Sequence, residues 1–299
     1  MASRRAGPRD LPLLAERLEA LRRDWASRSL ESDPLEFARN AKAEDREITA
    51  FIAASLAFGR VGSIRTSIRR VLDAVDGHPA AFLDAWDERP LGALRTFRHR
   101  WVSGKDVEDF LRMVKRARRA HGSLGALFAA GDRDGAVPAD YVPALSSFHR
   151  NLLSFSSSSP TSRGLKFLLP VPEGGSACKR SHLFLRWMVR TEGFDLGLWT
   201  GGRFTPARLL LPMDTHVHRI ATYLGLTRRP TADLAAAREA TGWLRLLNPE
   251  DPVAYDWALS RLGILAECVT ARTRRHCERC AVRPVCRASL IPSQGAAAA

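Results

Sequence analysis

Lys179, Asp214 and four cysteines near the C-terminus are the residues of this chain whose types and spacing could do chemistry. Lysine is scarce: of 46 basic side chains only Lys42, Lys105, Lys115, Lys166 and Lys179 are lysines, and the rest are arginines. Arginine therefore serves wherever charge alone suffices, whereas an amine that can lose its proton and form a Schiff base is something a guanidinium cannot supply. Lys179 follows the turn Pro172-Glu173-Gly174-Gly175-Ser176 and sits in the first turn of a helix, where backbone N–H groups can face an anion such as a phosphate. A 3.6-residue period sets it beside Leu183 and Arg186 and away from Phe184 and Met188, facing a cleft or solvent. It reads either as a nucleophile or as a solvated helix lysine. Asp214, in Leu211-Pro212-Met213-Asp214-Thr215-His216-Val217-His218-Arg219, opens the next well-formed helix. Its carboxylate suits an N-cap. His216 and His218, two apart on a helix, point in different directions and make poor joint metal ligands.

Cys268, Cys277, Cys280 and Cys286 follow the pattern C-x8-C-x2-C-x5-C, four of the five cysteines within 19 positions. Such clustering in a reducing compartment argues for one tetrathiolate site. Zinc sites usually carry two C-x-x-C knuckles; here only Cys277 and Cys280 form one, and the uneven spacing suits a [4Fe–4S] cluster better, with zinc as the alternative. Arg274, Arg275 and Arg279 lie within the same loop, which makes it a basic surface suited to a phosphate backbone. The fifth cysteine, Cys178, reads as a small helix residue.

The elements that must position these groups belong to a chain of 299 residues, 45% apolar, enough for one large domain or two modest ones. A formal charge of +14 favours a polyanionic partner, nucleic acid before anionic membrane, with a general arginine bias as the plain alternative. The longest apolar and small-residue run, Phe51 to Gly59, falls far short of the roughly 20 residues that span a bilayer. No apolar stretch follows Met1-Ala2-Ser3-Arg4-Arg5, so no signal peptide is expected and the protein is expected in the cytoplasm.

Helical periodicity covers residues 10–30 (Leu11, Leu13, Leu14, Leu18 and Leu21 on the buried side), a helix from Asp45 through Leu56, and another over Ile64–Val75 after a break at Phe58–Ser63. Further helices are predicted over Asp106–Ala120, Val142–Ser154, Thr215–Leu224, Thr231–Arg245 with Thr231 as N-cap, and Pro252–Glu267. Ser154–Ser162 reads as a linker loop and Pro292–Ala299 as a disordered tail. No segment alternates with period two long enough to be a strand, so the fold class is all-α.

A Gly-containing turn leading into a lysine-bearing helix, then Leu-Pro-Met-Asp-Thr-His-Val-His-Arg, then a four-cysteine loop, in that order, resembles the helix-hairpin-helix/Gly-Pro-Asp base-excision DNA glycosylase superfamily, in particular its endonuclease III-like members. Gly175 to Arg180 with Phe184 to Arg190 resembles more closely a bacterial branch known mainly as a domain of unknown function. The resemblance spans most of residues 45–290. It implies two helical lobes flanking a basic cleft: residues 46–205 as a barrel, and residues 1–45 with 206–290 around a [4Fe–4S] cluster. It also implies attack by Lys179 on the sugar of a flipped-out nucleotide with help from Asp214, giving a glycosylase with or without AP-lyase activity. DNA contacts would come from Gly174, Gly175, Ser176 and Arg60 together with the cluster-loop arginines. A monomer acting on damaged double-stranded DNA at the nucleoid, with no membrane partner, is expected. The alternative is an iron–sulfur protein of the same fold that binds nucleic acid without chemistry. The chain departs from the family pattern in the hairpin sequence, in the first cysteine gap and in a longer segment, Arg190–Pro206, between Lys179 and Asp214. Trp199 to Phe204 in that segment would line a base pocket or cover the cluster lobe.

Overall fold

The computed structural model describes residues 7–8, 10–26, 33–132, 139–157, 161–264, 268, 277–278 and 280–290. Among them are thirteen α-helices: α1 (Leu11–Ala26), α2 (Leu35–Asn40), α3 (Arg46–Ser55), α4 (Val61–Asp73), α5 (Pro79–Ala85), α6 (Gly104–His121), α7 (Leu124–Ala130), α8 (Val142–Ser154), α9 (Arg163–Leu168), α10 (Lys179–Val189), α11 (Thr215–Leu224), α12 (Leu234–Leu247) and α13 (Asp256–Ile264). The one sheet among the described residues is a hairpin of β1 (Arg98–His99) and β2 (Val102–Ser103), so the chain is mainly helical. No helix of the described residues is long and apolar enough to cross a membrane.

The chain divides into two compact units, one of Ser29–Arg208 and one of Met1–Arg28 with Leu209–Ala299. Residues 29–45 thus go with the larger unit rather than with the N-terminal helix, because α2 packs on α3.

The larger unit is built around α3, which receives α2 and α10. Eight consecutive residues of α3, Ile48 to Ser55, are buried, which is what its run of apolar and small side chains requires. Phe51 is the centre of an aromatic core, with ring centroids 4.9 Å from Phe110 of α6 and 4.9 Å from Phe184 of α10. Glu47, one turn earlier, accepts from the N–H groups of Leu124 and Gly125 at the start of α7 and from Trp199 Nε1 at 2.8 Å. One carboxylate thereby satisfies two of the orphan donors that any helix start exposes.

Asp106 plays a comparable part at the start of α6. It forms a capping box with Ser103 and also accepts from the hydroxyl of Ser162, the N-cap of α9. Gly164 lies so close that an added Cβ would fall 2.3 Å from the Asp106 carboxylate, so α9 can approach only without a side chain there. The serine-rich stretch is therefore tied to α6 where it is described: Ser156 Oγ and Ser157 N bond to Asp109, whereas a linker was expected. Residues 158–160 lie outside the described residues.

In the smaller unit α1 packs on α13 and α11 packs on α13. Leu14, Leu18 and Leu21 of α1 are buried as expected, with Leu11 and Leu13 only half-buried. Thr215–Leu224 is helical with the predicted ends, closed by Gly225 in the left-handed region at φ 79°. The next helix begins at Leu234 rather than near Thr231, because Asp233 is the N-cap and bonds Ala236 N at 2.8 Å; Thr231 instead donates its hydroxyl to Asp233. α13 likewise begins at Asp256, four residues past the expected Pro252, and the end of that prediction, 265–267, and the tail 292–299 lie outside the described residues.

Candidate functional site

Lys179 is the first residue of α10, reached through a short helical turn, Pro172–Gly174, and Gly175 in the left-handed region at φ 78°. Glu173, Gly174, Gly175 and Ser176 are exposed, and an added Cβ at Gly174 or Gly175 would meet nothing within 4 Å, so this turn is open to an approaching surface. Gly175 is required by its φ rather than by crowding. Ser176 Oγ accepts from Cys178 N at 3.2 Å.

Cys178 lies just outside the helix, as its N-cap residue, and not within it as expected. It adopts the left-handed conformation at φ 42°, which a residue with a Cβ rarely takes. Its thiol is buried and donates to Pro170 O at 3.3 Å, and burial, the leading influence, pushes its pKa up. This thiol is therefore a structural one.

Helix α10 is buried almost throughout: from Arg180 to Val189 every residue is buried except Leu183, and only Lys179 and Leu183 reach an intermediate exposure. Arg186, placed by period on the Lys179 face, is buried instead. Its guanidinium bonds Asp195 Oδ1 through Nε at 3.2 Å and Nη2 at 3.0 Å, and Arg190 pairs with the other oxygen of the same carboxylate. The longer segment after Arg190 supplies that carboxylate. It also returns backbone donors to the end of α10: Leu196 N and Gly197 N reach Trp187 O, and Trp199 N reaches Met188 O at 2.8 Å. Carbonyls that a helix end leaves without partners are thus satisfied by the insertion. Trp199 is 5% exposed among Phe128, Phe184 and Phe204 within the larger unit. It is part of that unit's core.

Arg180, next to Lys179, is a buried guanidinium bonded to Ser55 O at 2.6 Å and to Phe167 O, at or beside the C-terminal ends of α3 and α9. Its Cζ lies 4.2 Å from the ring centroid of Phe167 and 4.8 Å from that of Phe58. Burial pulls its pKa down to about 10. This cation therefore holds two helix ends together and fixes where α10, and Lys179 with it, begins.

Asp214 belongs to the smaller unit, where it is the N-cap of α11; Oδ1 accepts from His216 N and Val217 N, each at 2.9 Å. The segment before it is buried and held by Leu211 N bonding Thr241 Oγ1 at 2.9 Å. Asp214 itself is half-buried. Lys179 and Asp214 thus each open a helix, as expected, in different units.

Arg60 precedes α4 with extended backbone and is exposed. Arg274, Arg275 and Arg279 lie outside the described residues. Cys268, Cys277, Cys280 and Cys286 are half-buried. Burial raises the pKa of Cys268, the Arg219 guanidinium lowers it, and Cys286 and Cys277 raise it; burial likewise leads the upward shift of Cys280, to which the other three thiols contribute. Thiolate sulfur is the soft donor type that zinc and iron take. Among the described residues, however, no three His, Cys, Asp or Glu side chains are grouped so as to hold a metal ion.

The feature missed in the sequence is a ring cluster in the larger unit. Phe58, Trp101 at the hairpin tip, and Phe167 of α9 meet with centroids 4.7 to 5.9 Å apart. His99 anchors the hairpin through Ser67 Oγ at 2.9 Å and the carbonyls of Leu56 and Phe58, with burial lowering its pKa. The sequence signal was the alternation of base and aromatic in Arg98-His99-Arg100-Trp101, too short to register as a strand.

A family described as "Protein of unknown function (DUF2400)" matches residues 33–265, and the chain belongs to that family. No curated protein and no solved structure matches the chain.

Proposed function

We propose that the protein is a DNA base-excision glycosylase that acts on a flipped-out damaged base, with Lys179 as the covalent nucleophile. The observation that carries this reading is the placement of Lys179: on a helix otherwise almost wholly buried, it is the one polar residue that stands half-exposed, immediately behind an open Gly-rich turn. The turn's exposed backbone suits a phosphate. In the reaction the amine lone pair forms a bond to the anomeric carbon, and the glycosidic C–N pair departs with the base, which is protonated as it leaves. That proton comes from the new ammonium; the ring then opens as the nitrogen lone pair forms the C=N bond and the C–O pair leaves on the ring oxygen, which takes a proton from water, giving an iminium from which strand cleavage can follow. Asp214 takes the role of the carboxylate that lowers the barrier to a cationic sugar, and its N-cap bonds through Oδ1 hold it in place. The excess of 46 bases over 32 acids supports DNA as the partner, and with it a place at the nucleoid in the cytoplasm.

Cys268, Cys277, Cys280 and Cys286 are the residues that would hold a [4Fe–4S] cluster, or zinc. Its contribution would be to fold the loop that carries Arg274, Arg275 and Arg279 into a phosphate-binding surface. A second reading, a nucleic-acid binder without chemistry, is favoured by the ring cluster around Trp101.

The deciding assay is single-turnover base release from duplexes that each carry one lesion, across oxidised, alkylated and deaminated bases. Release of one class by the wild-type protein supports the enzyme. Tight binding with no release across the whole panel moves the assignment to the second reading.

A further inference from the structure

We propose that the β1–β2 hairpin tip, Arg100-Trp101, with Phe58 and Phe167, is a preformed platform on which an unpaired DNA base stacks. Trp101 is 41% exposed, unusual for so large a ring, while its supports are fixed. Phe167 meets it at 4.7 Å with planes at 83°, and Phe58 lies 5.9 Å away at 29°. Behind them Arg180 packs against both phenylalanines, and His99 ties the hairpin to the end of α3. A stacking surface needs this rigidity, because a ring ordered in advance loses little entropy when a base arrives.

Charge identifies the occupant. The segments that carry the rings, residues 56–63, 95–105 and 163–168, contain seven lysines and arginines, all exposed, and no aspartate or glutamate. Arg100 places its guanidinium 5.0 Å from the Trp101 ring centroid, so planar cation and indole present together the two surfaces on which bases stack. An acidic peptide would need the charge but not three converging rings, and an apolar partner would need the rings but not the charge. DNA with one base out of its stack needs both.

The backbone adds an independent sign. Arg100 has φ 55°, at the first corner of a tight hairpin where glycine is the residue without penalty. Gly59, in the neighbouring turn, leaves its would-be Cβ direction to Arg100 Cδ at 3.7 Å, so Arg60 and Arg100 come from adjacent turns of one surface.

The platform rests on the DNA reading above but not on chemistry at Lys179. The test uses the full-length protein and a duplex carrying one aminopurine opposite an abasic-site analogue, with the fully paired duplex as control. Wild-type protein should prefer the unpaired duplex and quench the aminopurine. Trp101→Ala should lose about 5- to 100-fold of that preference, and most of the quenching, without changing affinity for the paired duplex. Trp101→Phe should keep most of both. Arg100→Gly should melt no lower than wild type, since its φ suits glycine, yet bind several-fold more weakly, which separates a functional role from a folding one. If Trp101→Ala retains preference and quenching, the platform is overturned while DNA binding stands. If wild-type protein binds neither duplex, the DNA reading itself fails. Should Trp101→Ala not fold, the Arg100→Gly and Trp101→Phe comparison decides: unchanged binding by Arg100→Gly contradicts the proposal.

Discussion

His149 is the residue through which acid loosens the larger unit. It is 1% exposed on α8, donates from Nδ1 to Pro170 O at 2.8 Å, and meets Ser181 Oγ at 3.3 Å. Burial pushes its pKa down to about 4, against the pull of the Pro170 carbonyl. The unfolded chain, with an ordinary histidine near 6.5, binds the proton first, so the stability tied to neutral His149 is complete above that value. It is lost as pH falls toward 4, up to about 3 kcal/mol in all. Urea midpoints between about pH 7 and pH 4 measure the loss, and His149→Asn should flatten the limb. An unchanged slope in that variant would clear His149 of the effect. At this scale the sequence was readable where a side chain answers to its immediate neighbours. Asp214 as a cap and Lys179 at a helix start follow from local chemistry. Arg186 was not readable, because a period assigns a charged residue to the surface and only Asp195, nine residues on, turns it inward. Cys178 was misread as helical because its left-handed cap depends on a turn that begins several residues earlier.

Helix α10 and the segment that returns over its C-terminal end form one device. The segment brings Asp195 between two buried guanidiniums and gives N–H donors back to Trp187 and Met188. Asp195→Asn leaves both Arg186 and Arg190 without their shared buried counter-charge and should cost about 3–5 kcal/mol, measured by denaturant unfolding. A loss under about 1 kcal/mol would show that water replaces the carboxylate easily. Glu47→Gln, which weakens three bonds at once at the start of α7 and at Trp199, should cost about 1–3 kcal/mol by the same measurement. Long amphipathic helices such as α6 and α8 were legible from their apolar spacing. The short α5, α7 and α9 and the two-residue strands were not, since each is too brief to show a period, and those whose anchors are plain are held by partners distant in sequence: Glu47 for α7, Asp106 for α9, and Ser67 with the Leu56 and Phe58 carbonyls for the hairpin. The Trp101 platform was hidden for the same reason.

For the whole molecule, the net charge of +14 makes salt the simplest probe of partner class. Affinity for undamaged duplex should fall steeply with salt, and replacing Arg274, Arg275 and Arg279 with Ala should flatten the slope by up to about one counterion per lost phosphate contact. An unchanged slope removes the cysteine-rich loop from the interface. Protein purified without oxygen should be brown and carry about four irons per chain if the four thiols hold a [4Fe–4S] cluster. Stoichiometric zinc without iron would assign the site to zinc instead. The cysteine spacing was plain in the sequence, but what the thiols bind depends on how the loop closes. The central claim is that the Lys179 amine becomes covalently joined to DNA. Borohydride trapping on the preferred lesion duplex, followed by mass spectrometry of the adduct, tests it most directly. Wild-type protein should give a DNA adduct on Lys179, and Lys179→Arg should give none while retaining most of its DNA affinity. Asp214→Asn, which keeps the cap, should trap about 10²- to 10⁴-fold more slowly. Full base release by Lys179→Arg, or an adduct on another residue, would contradict the account.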